Sequence, residues 1–188
     1  MHYYHDKENA AAYAEMCVGY DAAVQLGVLF NVLPDGAEVL ELGSGPGNDM
    51  HLLASHYQVT GSDYSPAFVD MLTARFPDRT VMSLDAVTIA ADGPFDAIYS
   101  NKVLHHLSDE QLAASFSRQA DLLPSGGLVF HLVWCRLEAP EDDTELIFKA
   151  RDEAALKQAM GSAFEILETH SFGEFDEGDS LAILAKKN

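Results

Sequence analysis

Residues 39–49, VLELGSGPGND, set three glycines at alternate positions, Gly43, Gly45 and Gly47, directly behind an apolar run. The pattern predicts a strand over Glu38–Leu42, a glycine turn, and a helix over Asn48–His56. A turn of this kind lets the backbone approach a ligand closely. Two details narrow the ligand. A dinucleotide fingerprint would place a glycine at position 48, where this chain has Asn48. Glu41, inside the strand, would repel a pyrophosphate and suit a positive group. Asp63 stands at the end of the next apolar run, twenty residues after Gly43, where a carboxylate can accept from both hydroxyls of a ribose. The site therefore calls for a ribose, a cation and no phosphate.

Apolar runs and amphipathic segments alternate along the chain, which implies βαβ units on a parallel sheet. The further strands are expected at Gln58–Ser62, Thr80–Leu84, Phe95–Ser100 and Leu128–Trp134. Helices are expected at Pro66–Arg75, Asp109–Leu122 (capped by Ser108) and Glu153–Met160. Phe164–Thr169 and Leu181–Ala185 read as a terminal hairpin. The first 33 residues read as one or two helices, with bodies at Ala10–Ala14 and Ala22–Phe30. The chain is expected to be one domain, 1–188, with residues 1–33 as a helical lid over a binding core at 37–188.

The 188 residues carry 30 acids against 11 bases, a formal charge of -19. Phosphate polymers and anionic membranes would be repelled, so nucleic acid and membrane are not expected partners. No run of ~18 apolar residues offers a membrane span. The opening residues show no basic-then-apolar pattern, and Cys17 and Cys135 lie far apart without metal-ligand spacing. A cytoplasmic chain with reduced thiols and no metal is expected. The acidic runs Glu141-Asp142-Asp143 and Glu174–Asp179 read as solvated turns.

VLELGSGPGND, VTGSDYSPAFVDMLTARFP, SLDAVTI, FDAIYSNKVLHHL and LLPSGGLVFHLVW follow one another in the order seen in class I S-adenosylmethionine-dependent methyltransferases, which the chain resembles over roughly residues 37 to 134. The resemblance implies a doubly wound, Rossmann-like, seven-stranded sheet, helices on both faces and the last strand antiparallel. It implies S-adenosylmethionine as cofactor, S-adenosylhomocysteine as product and a small-molecule methyl acceptor. On the matching positions, Glu41, Gly43, Ser44, Gly45 and Gly47 would line the methionine portion. Asp63 would hold the ribose, Tyr64 would lie against the adenine, and Asp85 with the Ala86 N–H would meet the ring edge. The backbone at Ser100 and Asn101 would meet the ammonium, and Tyr13 or Tyr20 would close over the cofactor.

Each of these residues has a plainer reading. Asp63 or Ser65 could cap the helix at Pro66, and Asp85 could close a turn. His105 and His106 are the candidate general bases, although a positioning role is expected ahead of that one. Lys102 and Arg136 follow adjacent strands and could together hold an anionic acceptor. A nicotinamide oxidoreductase is disfavoured by Glu41 and the early third glycine. An aminopropyl transferase is disfavoured by the lack of paired acids after the fourth strand. A cofactor-binding module without turnover remains the alternative.

Overall fold

The computed structural model describes residues 3–136 and 148–188; the acidic run at 141–143 lies outside the described residues. After a 3-10 turn at Tyr3–His5, the elements run α1 (Lys7–Met16), α2 (Ala23–Val32), β1 (Glu38–Leu42), α3 (Asn48–Leu53), β2 (Gln58–Asp63), α4 (Pro66–Arg75), β3 (Thr80–Ser83) and β4 (Ala97–Asn101). A second 3-10 turn at Leu104–His106 precedes α5 (Asp109–Leu122), β5 (Leu128–Trp134), α6 (Glu153–Met160), β6 (Phe164–Phe172) and β7 (Ser180–Lys187).

The seven strands form one sheet in the order β3-β2-β1-β4-β5-β7-β6. β1 pairs in parallel with β2 and β4, β4 with β5, and β2 with β3. β7 runs antiparallel to both β5 and β6, so the terminal hairpin inserts its second strand next to β5. The chain turns back at β1, and the carboxyl ends of β1, β2 and β4 flank that reversal, where open α/β sheets bind ligands.

Near-continuous apolar strands are required because both sheet faces are covered. Leu40, Leu42, Ile98, Val129, Val133 and Ile183 face α5 and α6. Val39, Ala97, Tyr99, Phe130, Leu132 and Leu184 face α2, α3 and part of α4. Local signals start the helices, with Ser108 the cap that the sequence suggested for α5. Ser108 and Gln111 form a capping box on α5, Ser65 caps α4 with Pro66 in its first turn, and Asp152 caps α6.

The segment expected to be a lid divides in two. Leu26 and Leu29 of α2 are fully buried among Val39, Met50, Tyr57 and Tyr99, so α2 belongs to the core. Its apolar residues are too many for a surface lid, and burying them is what holds the helix. α1 buries only Ala10 and lies against α4. The connection from β3 to β4 contains no helix, contrary to simple alternation.

One carboxylate joins these parts. Asp49, buried in the first turn of α3, accepts from the Ala22 N–H (2.8 Å), the Tyr99 hydroxyl (2.7 Å) and Asn101 Nδ2 (2.9 Å). It thereby fixes the start of α2 and the end of β4 to the glycine turn. Asp49→Ala strands three donors, each costing about 1–3 kcal/mol when unsatisfied. We predict a loss of at least about 3 kcal/mol in denaturant unfolding. A loss below about 1 kcal/mol would show that this junction does not hold the fold.

Candidate functional site

The three glycines do different jobs. A Cβ on Gly43 would stand 2.4 Å from the Val103 side chain, and one on Gly47 would stand 2.7 Å from Phe76 and 2.8 Å from Leu72. Those two are empty of side chain because the protein packs on them. Gly45 has no neighbour in that direction within 4 Å and leaves room for a ligand. All three have positive φ, at 65°, 52° and 84°, which an L-residue adopts only with strain.

Asn48 occupies the place a dinucleotide fingerprint gives to glycine, and its side chain is in use. Its Nδ2 donates to the carbonyls of Cys17 (2.8 Å) and Tyr20 (2.9 Å), and its Oδ1 accepts from Arg75. It ties the chain between α1 and α2 to the turn.

Around the turn stand three buried carboxylates, Glu41, Asp49 and Asp63. Ser44 Oγ donates to Glu41 Oε2 at 2.8 Å. Burial pushes the Glu41 carboxyl up to about 8, with Asp49 and Asp63 adding to the rise and Ser44 opposing it. Asp63 accepts from the N–H groups of Gly45 (3.0 Å) and Ser65 (2.8 Å), one on each oxygen. Burial still raises it to about 6. A carboxylate offers about four acceptor positions, so Asp63 retains capacity for a further donor, such as a ribose hydroxyl. Ser65, not Asp63, caps α4.

Asn101 Oδ1 is buried with no hydrogen-bond partner among the described residues, although its Nδ2 is bound to Asp49. An orphaned acceptor beside buried acids fits an ammonium donor. Ser100, fully buried, bonds through its hydroxyl to His131. Asp85 closes a turn onto the Val87 and Thr88 N–H groups through Oδ1, which leaves Oδ2 for another donor. Ala86 is half-buried beside it. Tyr64 is half exposed next to His5. The structure thus gathers Glu41, Gly45, Asp63, Ser100 and Asn101 along the carboxyl ends of neighbouring strands.

Tyr13 packs between Tyr4 and Phe68, and burial raises its hydroxyl far above its usual value, with Cys17 as the next cause. Tyr20 is exposed and lies near Phe175 of the β6–β7 turn. Phe175 stacks on Trp134. Lys102 has φ of 56°, sits 3.7 Å over the Trp134 ring and pairs with Glu174 at 3.2 Å. Burial holds its ammonium below the usual lysine value, while Glu174 pulls it back up. Lys102 is therefore not a free cation, contrary to the simplest use of it as an anion receiver. Arg136 is exposed, and its N–H donates to the Asp179 carbonyl.

His105 is buried against His106 and Phe148. Burial, then His106, Lys102 and Arg151, hold its imidazole well below the usual value. A ring so hard to protonate is a weak base. His106 is half-buried beside it. No group of three or more metal-ligating side chains is present among the described residues. No helix there is long and apolar enough to cross a membrane.

Sequence reasoning missed Asp49, Glu174 and the buried Arg151, whose guanidinium meets Asp109 and the Leu107 carbonyl. Asp49 carried a faint signal, as an acid immediately behind the glycine turn. Nothing local marked the other two.

Residues 39–127 match the family described as a methyltransferase domain. An uncharacterized methyltransferase of Bacillus licheniformis is 29% identical over 90% of this chain and 76% of its own length. A trans-aconitate 2-methyltransferase of Variovorax paradoxus is 34% identical over 70% of this chain. The chain spans 51% of that relative's length. An N-methyltransferase, NodS, of Bradyrhizobium japonicum, solved with S-adenosylhomocysteine, shares the fold at a TM-score of 0.73. It is 18% identical over 95% of this chain and 98% of its own.

The buried acids have a pH signature. Folded Glu41 keeps a proton up to about 8, whereas the unfolded group loses it near 4.5. The unfolded state binds fewer protons across that window, so stability falls as pH rises through it. Asp63 contributes in the same sense between 3.8 and about 6. We predict that Glu41→Gln flattens the fall between pH 6 and 8 in denaturant titrations; an unchanged slope would show that Glu41 ionises freely in the fold.

Proposed function

We propose that this chain, which carries a class I S-adenosylmethionine-dependent methyltransferase domain, transfers a methyl group to a small-molecule acceptor held near the carboxyl ends of β4 and β5. The observation that carries the reading is the set of three buried carboxylates around a glycine turn at positive φ. That set rejects phosphate and receives a cation and ribose hydroxyls. When bound, the cofactor supplies a sulfonium methyl for in-line displacement.

The chain's own residues do the rest by position. Asp63 accepts from the ribose hydroxyls, while Gly45 and Ser65 hold it in place. Glu41 and Asn101 Oδ1 receive the positive end of the methionine portion. Asp85 Oδ2 accepts from the adenine amino group, the Ala86 N–H meets the ring nitrogen, and Tyr64 lies on the ring. α1, with Tyr13 and the following Tyr20, covers the site as the lid.

For the acceptor, the trans-aconitate relatives favour a carboxylate. A carboxylate oxygen is already ionised at neutral pH, so methylating it needs no general base. That agrees with the neutral, enclosed His105. Lys102 would exchange Glu174 for the acceptor carboxylate, and Arg136 would supply the second cation. Trp134 and Phe175 would wall the pocket.

Calorimetry with S-adenosylhomocysteine tests the cofactor site. Wild type should bind, and Asp63→Ala should weaken binding by at least ~1.5 kcal/mol, as expected for charge-assisted contacts. Equal binding in the variant sinks the ribose assignment. Turnover is tested with a panel of di- and tricarboxylates, scored by S-adenosylhomocysteine release. With the best acceptor, Glu174→Gln should lower KM by freeing Lys102, and Arg136→Ala should raise it severalfold. No release with any acceptor identifies a binding module, and a preference for cationic acceptors rejects the carboxylate reading.

A further inference from the structure

A continuous hydrogen-bonded chain crosses the core from β4 to the loop after β3. It consists of Ser100, His131, Gln119 and Ser115, each with 0% exposure. Ser100 Oγ lies 2.8 Å from His131 Nδ1, and His131 Nε2 lies 2.9 Å from Gln119 Oε1. Gln119 Nε2 donates to Ser115 Oγ at 3.1 Å, and Ser115 Oγ donates to the Ala86 carbonyl at 2.6 Å.

The end of the chain sets its direction. A carbonyl can only accept, so the Ser115 hydroxyl proton points to Ala86. Ser115 therefore accepts from the Gln119 amide nitrogen, which leaves the Gln119 oxygen to accept from His131. His131 carries its proton on Nε2, and Nδ1 accepts from Ser100. Burial holds this imidazole down at about 3, so it stays neutral and the order persists at working pH.

The far end is pinned from its other side as well. The peptide unit that offers the Ala86 carbonyl also carries the Val87 N–H, which donates to Asp85 Oδ1 at 2.6 Å. The same face of α5 adds Arg118, which donates to the carbonyls of Ile89 (3.1 Å) and Ala91 (2.8 Å). Ser115, Arg118 and Gln119 are spaced so that one helix face clamps this loop. Four buried polar side chains are a costly way to fill a core that apolar residues could fill. What they add is a fixed orientation.

We propose that Ser100, His131, Gln119 and Ser115 form a positioning relay, which holds the peptide between Ala86 and Val87 and thereby aims Asp85 at the amino group of the adenine. It rests on the cofactor reading above. None of the four touches the adenine in this arrangement; they act through Asp85. The end at Ser100 lies beside Asn101, so the same relay spans the two ends of the cofactor site.

The test compares S-adenosylhomocysteine with S-inosylhomocysteine, which lacks the amino donor, by calorimetry on the full chain. Wild type should prefer the adenosyl ligand by about tenfold, the worth of one charge-assisted hydrogen bond. In Ser115→Ala, and separately in His131→Leu, that preference should shrink at least about threefold at a temperature well below each variant's Tm. A preference unchanged in both variants, whatever happens to Tm, makes the chain purely structural and overturns the relay. Equal binding of the two ligands by wild type overturns the aim of Asp85 and the relay with it. Wild type that binds neither ligand overturns the cofactor reading first and the relay as its consequence.

Discussion

The carboxyl end of the sheet depends on Asp49. Its two oxygens collect the first N–H of the α2 region, a tyrosine hydroxyl from the middle of β4 and the amide of Asn101 at the end of β4. Without that buried acceptor, the start of α2 would lose its polar tie to β4, and among the described residues only the Tyr57 hydroxyl, on the carbonyls of Leu29 and Leu33, would hold the helix's far end. With it, the glycine turn, the fourth strand and the second helix meet at one atom pair. The geometry of the site is inherited from that junction.

The same region accepts a stability cost. Glu41 lies within the field of both Asp49 and Asp63, and burial disfavours the charged forms of Glu41 and Asp63. A core built for stability would place apolar residues there. Retained carboxylates suit a cationic, hydroxyl-rich ligand, whose donors would offset the desolvation. The left-handed backbone at Lys102 is a second local cost, in a residue that connects the end of β4 to the Trp134–Phe175 stack. Both costs fall at the carboxyl ends of the strands.

Methyl transfer places few demands on side-chain chemistry. The cofactor brings the leaving group, and the protein supplies position and a dry site. The enclosed His105 imidazole, held well below its usual value by burial, is poorly suited to act as a base. The Lys102–Glu174 pair keeps the cation at the end of β4 neutralised within the fold.

The sequence by itself determined the sheet and its order of elements. Strand and helix identity followed from periodicity and caps, as at Ser108, because those signals act within a turn or two of chain. It also determined Glu41, the glycine turn and Asp63, since strand ends bring fixed spacings to one place. Tertiary structure decided what those residues face. Gly43 and Gly47 are spaced for Val103, Leu72 and Phe76, and of the three only Gly45 has no atom within 4 Å of where a Cβ would stand. It decided that α2 is core while α1 buries only Ala10 against α4, although both read as similar helices. It paired Lys102 with Glu174 across 72 residues, and linked Ser100 to Ala86 through His131, Gln119 and Ser115. Local pattern records which face is apolar; partners brought together from distant strands leave no period in the sequence.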